Sequence, residues 1–278
     1  MKTLSHCFKH LFLILAAGLI LLPFWMVISV AGSHNSDIMG STAPLWPNVP
    51  LLFHHMYQVL FEGVSGLPPY VGLLWRSFLM ASGIAIGKII LSICSAYAIV
   101  YFRLPFKRVF FVLIFLTLML PIEVRMLPSY QIIVNLHLLN SYTGLILPVI
   151  ASATATLFFK QFFETIPVEL LEAARLDNAG YLRFLFKIVR PLSKTNIAAI
   201  FLIMFVYGWN QYLWPLMITS KPDFYTIIMS LSQLSASVNS QPEWWQAMAG
   251  TLVSTIPVIT LMVVMQKFFV KGLIQKEK

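Results

Sequence analysis

The chain has 278 residues, of which 59% are hydrophobic and only 10% are charged, and its mean hydropathy is +0.82. A soluble globular domain carries about 25% charged residues, so this composition excludes a water-soluble fold and makes lipid the solvent for most of the chain. The formal net charge is +9. Because the cations flank apolar runs, they indicate membrane topology rather than nucleic-acid binding.

A helix that crosses the ~30 Å hydrocarbon core needs about 20 mostly apolar residues. Backbone groups in lipid must be satisfied within the segment, so spanning segments of this kind are helices. We therefore predict an all-α membrane protein with one domain over residues 1–278. Six segments qualify as spans: residues 11–31, 74–101, 108–128, 143–163, 195–218 and 247–269.

The distribution of basic residues predicts the orientation of these spans. Of the 19 lysines and arginines, 15 fall on one side, Arg76, Arg125 and Lys221 fall on the other, and Lys88 lies within a span. The richer side is cytoplasmic, which places both termini in the cytoplasm. The apolar run after Lys9 is longer than the core of a signal peptide, so we interpret it as a retained span. The long outer loops, 32–73 and 219–246, are either simple connectors or contact sites for a protein outside the membrane.

A polar, helix-prone hairpin over residues 165–192 interrupts the second half of the chain, with the sequence "ELLEAARLDNAGYLRFLFKIVRPL" from Glu169 to Leu192. Pro167 suits the first turn of a helix, and the small residues Ala173 and Ala174 are strong helix formers. The letters "DNAG" predict a turn, and a second helix ends at Pro191. One interpretation is a solvated loop whose basic stripe meets anionic lipid. That interpretation leaves the alanine patch unexplained.

The stretch "EAARLDNAG" followed by "FLFKIVRPL" resembles the Glu-Ala-Ala loop of binding-protein-dependent ABC importer permeases. In that family the loop docks on a cytoplasmic ATPase, and Glu172, Ala173, Ala174 and Pro191 match its pattern. Where the family has glycine this chain has Asn178, which is the next residue type to tolerate a positive φ. The resemblance implies a coupling role for Glu172, Ala173, Ala174, Asp177, Asn178, Gly180 and Phe184.

Other stretches extend the resemblance over nearly the whole chain. The letters "GWNQYLWPL" resemble the fifth span of the maltose-type sugar permeases. The stretches "LMLPIEVRMLPSY", "ASATATLFFKQFF" and "RPLSKTNIAA" are similar to the branch of that family that imports sn-glycerol-3-phosphate. The resemblance implies a type I ABC importer permease in a bacterial inner membrane. It also implies as partners a second permease, two copies of an ATPase and a periplasmic binding protein. The expected substrate is sn-glycerol-3-phosphate or a glycerophosphodiester, with a neutral sugar or polyol as the alternative.

Polar residues within the spans are candidates for the substrate pathway. Lys88 lies near the middle of the second span, where a charge costs about 2.5–3.5 kcal/mol; it either attracts an anionic substrate or has a structural partner. Glu123 and Arg125 line an outer vestibule or contact a neighbouring subunit. Asn210 and Gln211 bind substrate hydroxyls or bond neighbouring helices.

The motif "GIAIGKI" at Gly83–Ile89 is not a phosphate-binding loop, because its spacing is one residue short and isoleucine follows the lysine. Gly83 and Gly87 instead predict a Gly-x-x-x-Gly face for close helix packing. We therefore expect no enzyme activity, cofactor, metal or catalytic residue in this chain, and ATP hydrolysis by a partner. An ion-coupled secondary transporter is the rival of a different class. It needs carboxylates deep in the spans, whereas Glu123 and Glu164 are terminal.

Overall fold

The structure is a computed structural model of the chain, and it describes residues 2–40, 44–64, 66–119, 121–236 and 243–274. Every regular element in these residues is a helix, which confirms the predicted all-α class. The first seven α-helices are α1 Lys2–Ala31, α2 Asn35–Ile38, α3 Val49–Tyr57, α4 Tyr70–Tyr101, α5 Lys107–Met119, α6 Ile122–Asn135 and α7 Tyr142–Ile146. The next eight are α8 Ala153–Phe163, α9 Val168–Leu176, α10 Tyr181–Phe184, α11 Arg190–Leu192, α12 Lys194–Trp209, α13 Leu213–Ile218, α14 Ile227–Ala236 and α15 Trp244–Ile274.

Shorter turns continue several of these helices. Leu147–Val149 and Pro222–Phe224 are 3₁₀ turns, and Gln58–Glu62 and Leu185–Val189 are π turns. Three helices in the described residues are each long and apolar enough to cross a membrane, within Lys9–Ala31, Tyr70–Tyr101 and Trp244–Lys267. Two further pairs of helices, each bent at a break, pass the same test together, which gives up to five spans if each pair counts as one. One pair joins α7 to α8 across a bend of 53° and matches the span predicted at 143–163.

Two other predicted spans are also divided, so three of the six are not continuous helices, which corrects the sequence interpretation. The segment 108–128 is divided between α5 and α6, because Pro121 has an extended ψ of 143° and lacks the N–H that would continue a helix. Leu120 lies outside the described residues. The segment 195–218 is divided between α12 and α13. Helix α12 ends at Trp209 and α13 begins at Leu213. Pro215, in the first turn of α13, has no N–H to donate to the carbonyl of Gln211, so a continuous helix would lose a hydrogen bond there.

The chain forms two compact units. The first comprises residues 1–75 and 227–257. In it, the segment between α1 and α4 contacts the end of α1. The backbone N–H of Asn48 donates to the carbonyl of Gly32 at 3.0 Å. His55 stacks on Trp245 with ring centroids 3.9 Å apart, and its Nδ1 lies 2.8 Å from the carbonyl of Ala31. Burial lowers the pKa of His55 below its usual value, so the ring is neutral near pH 7.

Part of the predicted outer loop 219–246, residues 237–242, lies outside the described residues.

The second unit comprises residues 76–226 and 258–278, and its core lies between α4 and the broken helices. Met80 and Ile84 of α4 pack with Ile133, Leu145, Trp214 and Ile218. The indole Nε1 of Trp214 donates to the carbonyl of Gly144 at 3.2 Å. Asn140, at a φ of 51°, accepts from the backbone N–H groups of Ser220 and Lys221. The first of these bonds satisfies a backbone carbonyl of α7, and the others join the segments that follow α6 and α13.

Small residues let helices approach closely around α4. A Cβ added at Gly83 would lie 2.6 Å from the Cδ1 atom of Ile146, and one added at Gly87 would lie 2.6 Å from the Cγ2 atom of Ile150. The predicted Gly-x-x-x-Gly packing face is therefore confirmed, with two isoleucines seated on it. On α12, a Cβ at Gly208 would lie 2.9 Å from the Cα atom of Ala81. At that point backbone meets backbone.

We expect Gly208→Ala to destabilise the chain by about 1–3 kcal/mol, because the added methyl forces two helix backbones apart. Gly83→Ala should cost less, since its obstacle is the flexible end of Ile146. Gly18→Ala is the matched control, because nothing lies within 4 Å of a Cβ there. The measurement is thermal unfolding of the three purified variants. Equal melting temperatures for Gly208→Ala and Gly18→Ala would contradict the close approach.

Candidate functional site

The predicted hairpin is present as two helical segments joined by a short turn. Pro167 takes the N-cap position of α9, one residue before the first turn where we expected it, and Glu169 follows in the first turn. Glu172 and Ala173 are exposed, whereas Ala174 is only 5% exposed. The alanine pair therefore has one member on the surface of the hairpin and one packed against the rest of the chain.

The turn of the hairpin has the geometry that the sequence predicted for Asn178. This residue has a φ of 50°, in the left-handed region where helices commonly end. The N–H of Ala179 donates to the carbonyl of Ala174 at 2.8 Å, and that of Asn178 donates to the carbonyl of Arg175 at 3.0 Å. These two bonds form a Schellman motif, with asparagine in place of the usual glycine. Gly180 follows with an ordinary φ of −63°, so the left-handed residue of the turn is Asn178 and not the glycine.

The second helical segment runs from Tyr181 to Leu192 through the π turn Leu185–Val189. Its basic side chains Arg183, Lys187 and Arg190 are exposed, as their spacing predicted. Its opposite face is buried and includes Phe184, which is 1% exposed. Phe184 therefore does not present its ring to a partner. It holds the hairpin against the rest of the chain.

An aromatic anchor ties the hairpin to the end of α4. The Tyr97 hydroxyl donates to the carbonyl of Tyr181 at 2.8 Å, and the Tyr101 hydroxyl donates to the carbonyl of Phe163 at 3.1 Å. The ring of Phe184 lies 5.3 Å from that of Tyr101, in an edge-on arrangement. Sequence reasoning missed this anchor, although two tyrosines one turn apart at the end of a predicted span were a visible signal.

The tip of the hairpin, residues 176–182, combines apolar and polar groups on its surface. Leu176 is 84% exposed and Leu182 is 71% exposed. Asp177, Asn178 and Gly180 between them are exposed as well. Two exposed leucines therefore lie on either side of the turn. We call residues 176–182 the docking tip.

A cavity of about 40 Å³ lies within the second unit, beside the middle of α4. Its lining includes Lys88 from α4, Arg125 from the first turn of α6, Pro148 from the bend between α7 and α8, Tyr207 from α12, and Gln211 from the break between α12 and α13. The structure thus brings together three of the predicted pathway residues, Lys88, Arg125 and Gln211. Asn210 does not line the cavity. The side chain of Glu123 lies outside the described residues.

Lys88 is 5% exposed, and its Nζ lies 4.3 Å from the centroid of the Tyr207 ring. Such a cation–π contact contributes about 2 kcal/mol when desolvated, which does not exceed the insertion cost of the charge. No carboxylate lines the cavity among the described residues, and Arg125 adds a second positive charge. Tyr207, which sequence reasoning did not single out, is the contact that positions the ammonium group.

Comparisons with known proteins identify relatives along the full chain. The chain is 47% identical over 272 residues to the sn-glycerol-3-phosphate transport system permease protein UgpE of Yersinia pestis, covering 98% of this chain and 96% of the relative. It is 45% identical over 282 residues to the protein of the same name from Brucella abortus, covering 100% and 99%.

A solved structure shares the fold. This is a chain of a bacterial ABC transporter involved in the import of the acidic polysaccharide alginate, with a TM-score of 0.82. The match covers 96% of this chain and 97% of that chain at 23% sequence identity. Residues 88–275 match the family described as the inner membrane component of binding-protein-dependent transport systems. With the relatives above, this match confirms the resemblance predicted from the hairpin: the chain belongs to the family of inner-membrane components of binding-protein-dependent transport systems.

Proposed function

We propose that this chain is one permease subunit of an ATP-driven importer of sn-glycerol-3-phosphate, with glycerophosphodiesters in the same substrate class. The observation that carries the proposal is the identity of 45–47% along nearly the whole chain to permeases named for that substrate. The complete importer contains a second permease, two copies of a cytoplasmic ATPase and a periplasmic binding protein. In this assembly the ATPase supplies the energy, and the present chain forms part of the conduit.

The docking tip is the proposed contact with the ATPase. Its exposed leucines, Leu176 and Leu182, flank a turn that a Schellman motif holds in one conformation. Asp177 and Asn178 offer polar groups within this surface, which also includes Gly180, and the exposed Glu172 and Ala173 precede it in α9. Ala174 and Phe184 act indirectly, because they are buried and fix the position of the tip.

The aromatic anchor explains how a movement of the ATPase reaches the spans. The ring of Phe184 and the hydroxyl of Tyr97 connect the hairpin directly to α4. A packed anchor of this kind moves as a body rather than deforming, because closely packed interiors transmit displacement. When the ATPase dimer closes, the hairpin moves with it, and the helices rock between inward-open and outward-open states.

The first prediction concerns the proposed activity itself. Proteoliposomes that contain the complete importer should accumulate radiolabelled sn-glycerol-3-phosphate only with ATP inside the compartment that faces the ATPase. Omitting the ATPase should reduce uptake to background, because this chain carries no nucleotide motif. Uptake that persists on an ion gradient without ATP would instead identify a secondary transporter. Competition by maltose or glycerol, but not by a phosphate ester, would identify a neutral substrate.

The second prediction tests the turn at Asn178. Asn178→Gly should leave uptake within about twofold of wild type, because glycine adopts a φ of 50° without strain. Asn178→Val should lower coupled uptake about five- to thirtyfold, since a left-handed L-residue costs about 1–2 kcal/mol and a β-branched residue at the upper end. Both variants remove the amide, so only backbone tolerance differs between them. Equal losses in the two variants would show that the amide itself, not the turn, carries the function.

The third prediction tests the anchor with two phenylalanines of the same helix. Phe184→Ala should loosen the hairpin by about 3–5 kcal/mol, because the ring is fully buried. Phe186→Ala is the matched control, since that ring is largely exposed. The measurement is crosslinking to the ATPase from a cysteine introduced at Asp177, after Cys7 and Cys94 are replaced by serine. Phe184→Ala should lower the yield although its side chain does not touch the partner. An unchanged yield would remove the anchor from the coupling path.

A further inference from the structure

Two cations converge on the cavity beside α4, and they come from different helices. Lys88 belongs to α4, and Arg125 belongs to the first turn of α6. They act on each other as like charges. Among the described residues neither of them forms an ion pair. The ion pairs in that part of the chain join Arg76 to Asp223 and Lys160 to Glu164. The cavity is therefore positively charged with no protein anion in its described lining.

A buried cation such as Lys88 is unfavourable in an apolar segment unless something else neutralises its charge. Lys88 is nearly fully buried, and its one described contact is the face of Tyr207. A ring face orients an ammonium group but does not cancel its charge. Among the described residues no acceptor takes the N–H donors of Lys88 or of the Arg125 fork, which leaves them open to an incoming acceptor there.

The lining also supplies neutral hydrogen-bonding groups next to the two cations. The Gln211 amide lies in the break between α12 and α13, and its Nε2 reaches the carbonyl of Tyr207 only at a long 3.4 Å. Pro148 lies in the bend between α7 and α8. Irregular backbone at membrane depth occurs where it lines a cavity, and broken helices are where transporters place their ligands.

We propose that Lys88 and Arg125 form a phosphate-binding station inside the permease, with Gln211 placed to bond the glycerol hydroxyls of the same substrate. This rests on the proposed function and adds that the permease itself, in addition to the periplasmic binding protein, discriminates phosphate esters from neutral polyols. A phosphate monoester carries up to two negative charges near pH 7, which matches the two cations. A guanidinium binds phosphate oxygens in a bidentate manner, and the ammonium group adds a point charge.

The cavity volume of about 40 Å³ has room for water but not for a glycerol phosphate. Occupation by substrate therefore requires the bend and the break to open. Both flank the cavity, so the backbone segments that must move are those that regular helix hydrogen bonds restrain least. In this structure the two cations of the proposed phosphate-binding station are already in place, but the cavity is too small to hold the substrate.

The test uses the complete importer in proteoliposomes, with Lys88→Met, Lys88→Arg, Arg125→Met and Lys221→Met. Lys88→Met should raise the KM for sn-glycerol-3-phosphate about tenfold or more, because a charge-assisted bond is lost. Lys88→Arg should restore most of the affinity, since it keeps the charge. Arg125→Met should act in the same direction as Lys88→Met. Lys221→Met is the matched control, because it removes an exposed cation that does not line the cavity, and it should leave the KM unchanged.

A second readout separates charge recognition from structural damage. The loss in Lys88→Met should be larger for sn-glycerol-3-phosphate than for a glycerophosphodiester, which has one negative charge fewer. Equal losses for both substrates, or an unchanged KM, would overturn the proposal. If Lys88→Met fails to assemble, Arg125→Met decides the matter by the same comparison, since its side chain is exposed. A wild-type importer that does not transport sn-glycerol-3-phosphate would instead refute the proposed function.

Discussion

The burial of the Phe184 ring determines how the polar hairpin is attached to the membrane-spanning helix α4. Phe184 lies against Tyr97 and Tyr101 at the end of α4, and each tyrosine hydroxyl caps a backbone carbonyl. This contact, together with the buried Ala174 and Val189 of the hairpin, holds the docking tip against the rest of the chain. Every step of the proposed coupling depends on this connection.

The requirement for satisfied backbone groups explains where the chain is irregular. Lipid cannot bond a free N–H or carbonyl, so each break must find a partner within the protein. Trp214, which lines the cavity beside Lys88, bonds the carbonyl of Gly144 in α7. Asn140 bonds the N–H groups of Ser220 and Lys221 where the segments that follow α6 and α13 meet.

The sequence predicted the positions of charges and turns better than it predicted which apolar side chains are buried. Asn178 was predicted to adopt a positive φ, and Gly83 and Gly87 were predicted to form a packing face, because both inferences depend on steric rules for one or two residues. Phe184 and Phe186 could not be distinguished in the same way. Which ring is buried depends on contacts with Tyr97 and Tyr101, which lie far away in the sequence, so the local pattern does not tell the two rings apart. One of these rings is 1% exposed and the other 58%.

The same limitation applies to the cavity. Lys88 was recognisable from sequence, because a charge within an apolar span has few explanations. Its contact with Tyr207 joins helices that are far apart along the chain, and no local pattern marks such a pair. The breaks at Pro121 and before Pro215 were visible as prolines. Continuous apolar composition nevertheless predicted unbroken spans there, because composition does not report the loss of a single backbone donor.

The helix α4 connects the two proposed sites, and its sequence suits that task. Lys88 and Tyr97 are nine residues apart, which corresponds to about 13 Å along a helix. The long helices α1 and α15 contain internal prolines at Pro23 and Pro257, whereas the 32 residues of α4 contain none. Sharp kinks in helices occur mainly at proline, so α4 keeps its full set of internal hydrogen bonds between anchor and cavity. A displacement at Tyr97 is then carried to Lys88 as a movement of the whole helix. In the proposed mechanism, the segment that receives force from the ATPase is the same segment that contacts the phosphate.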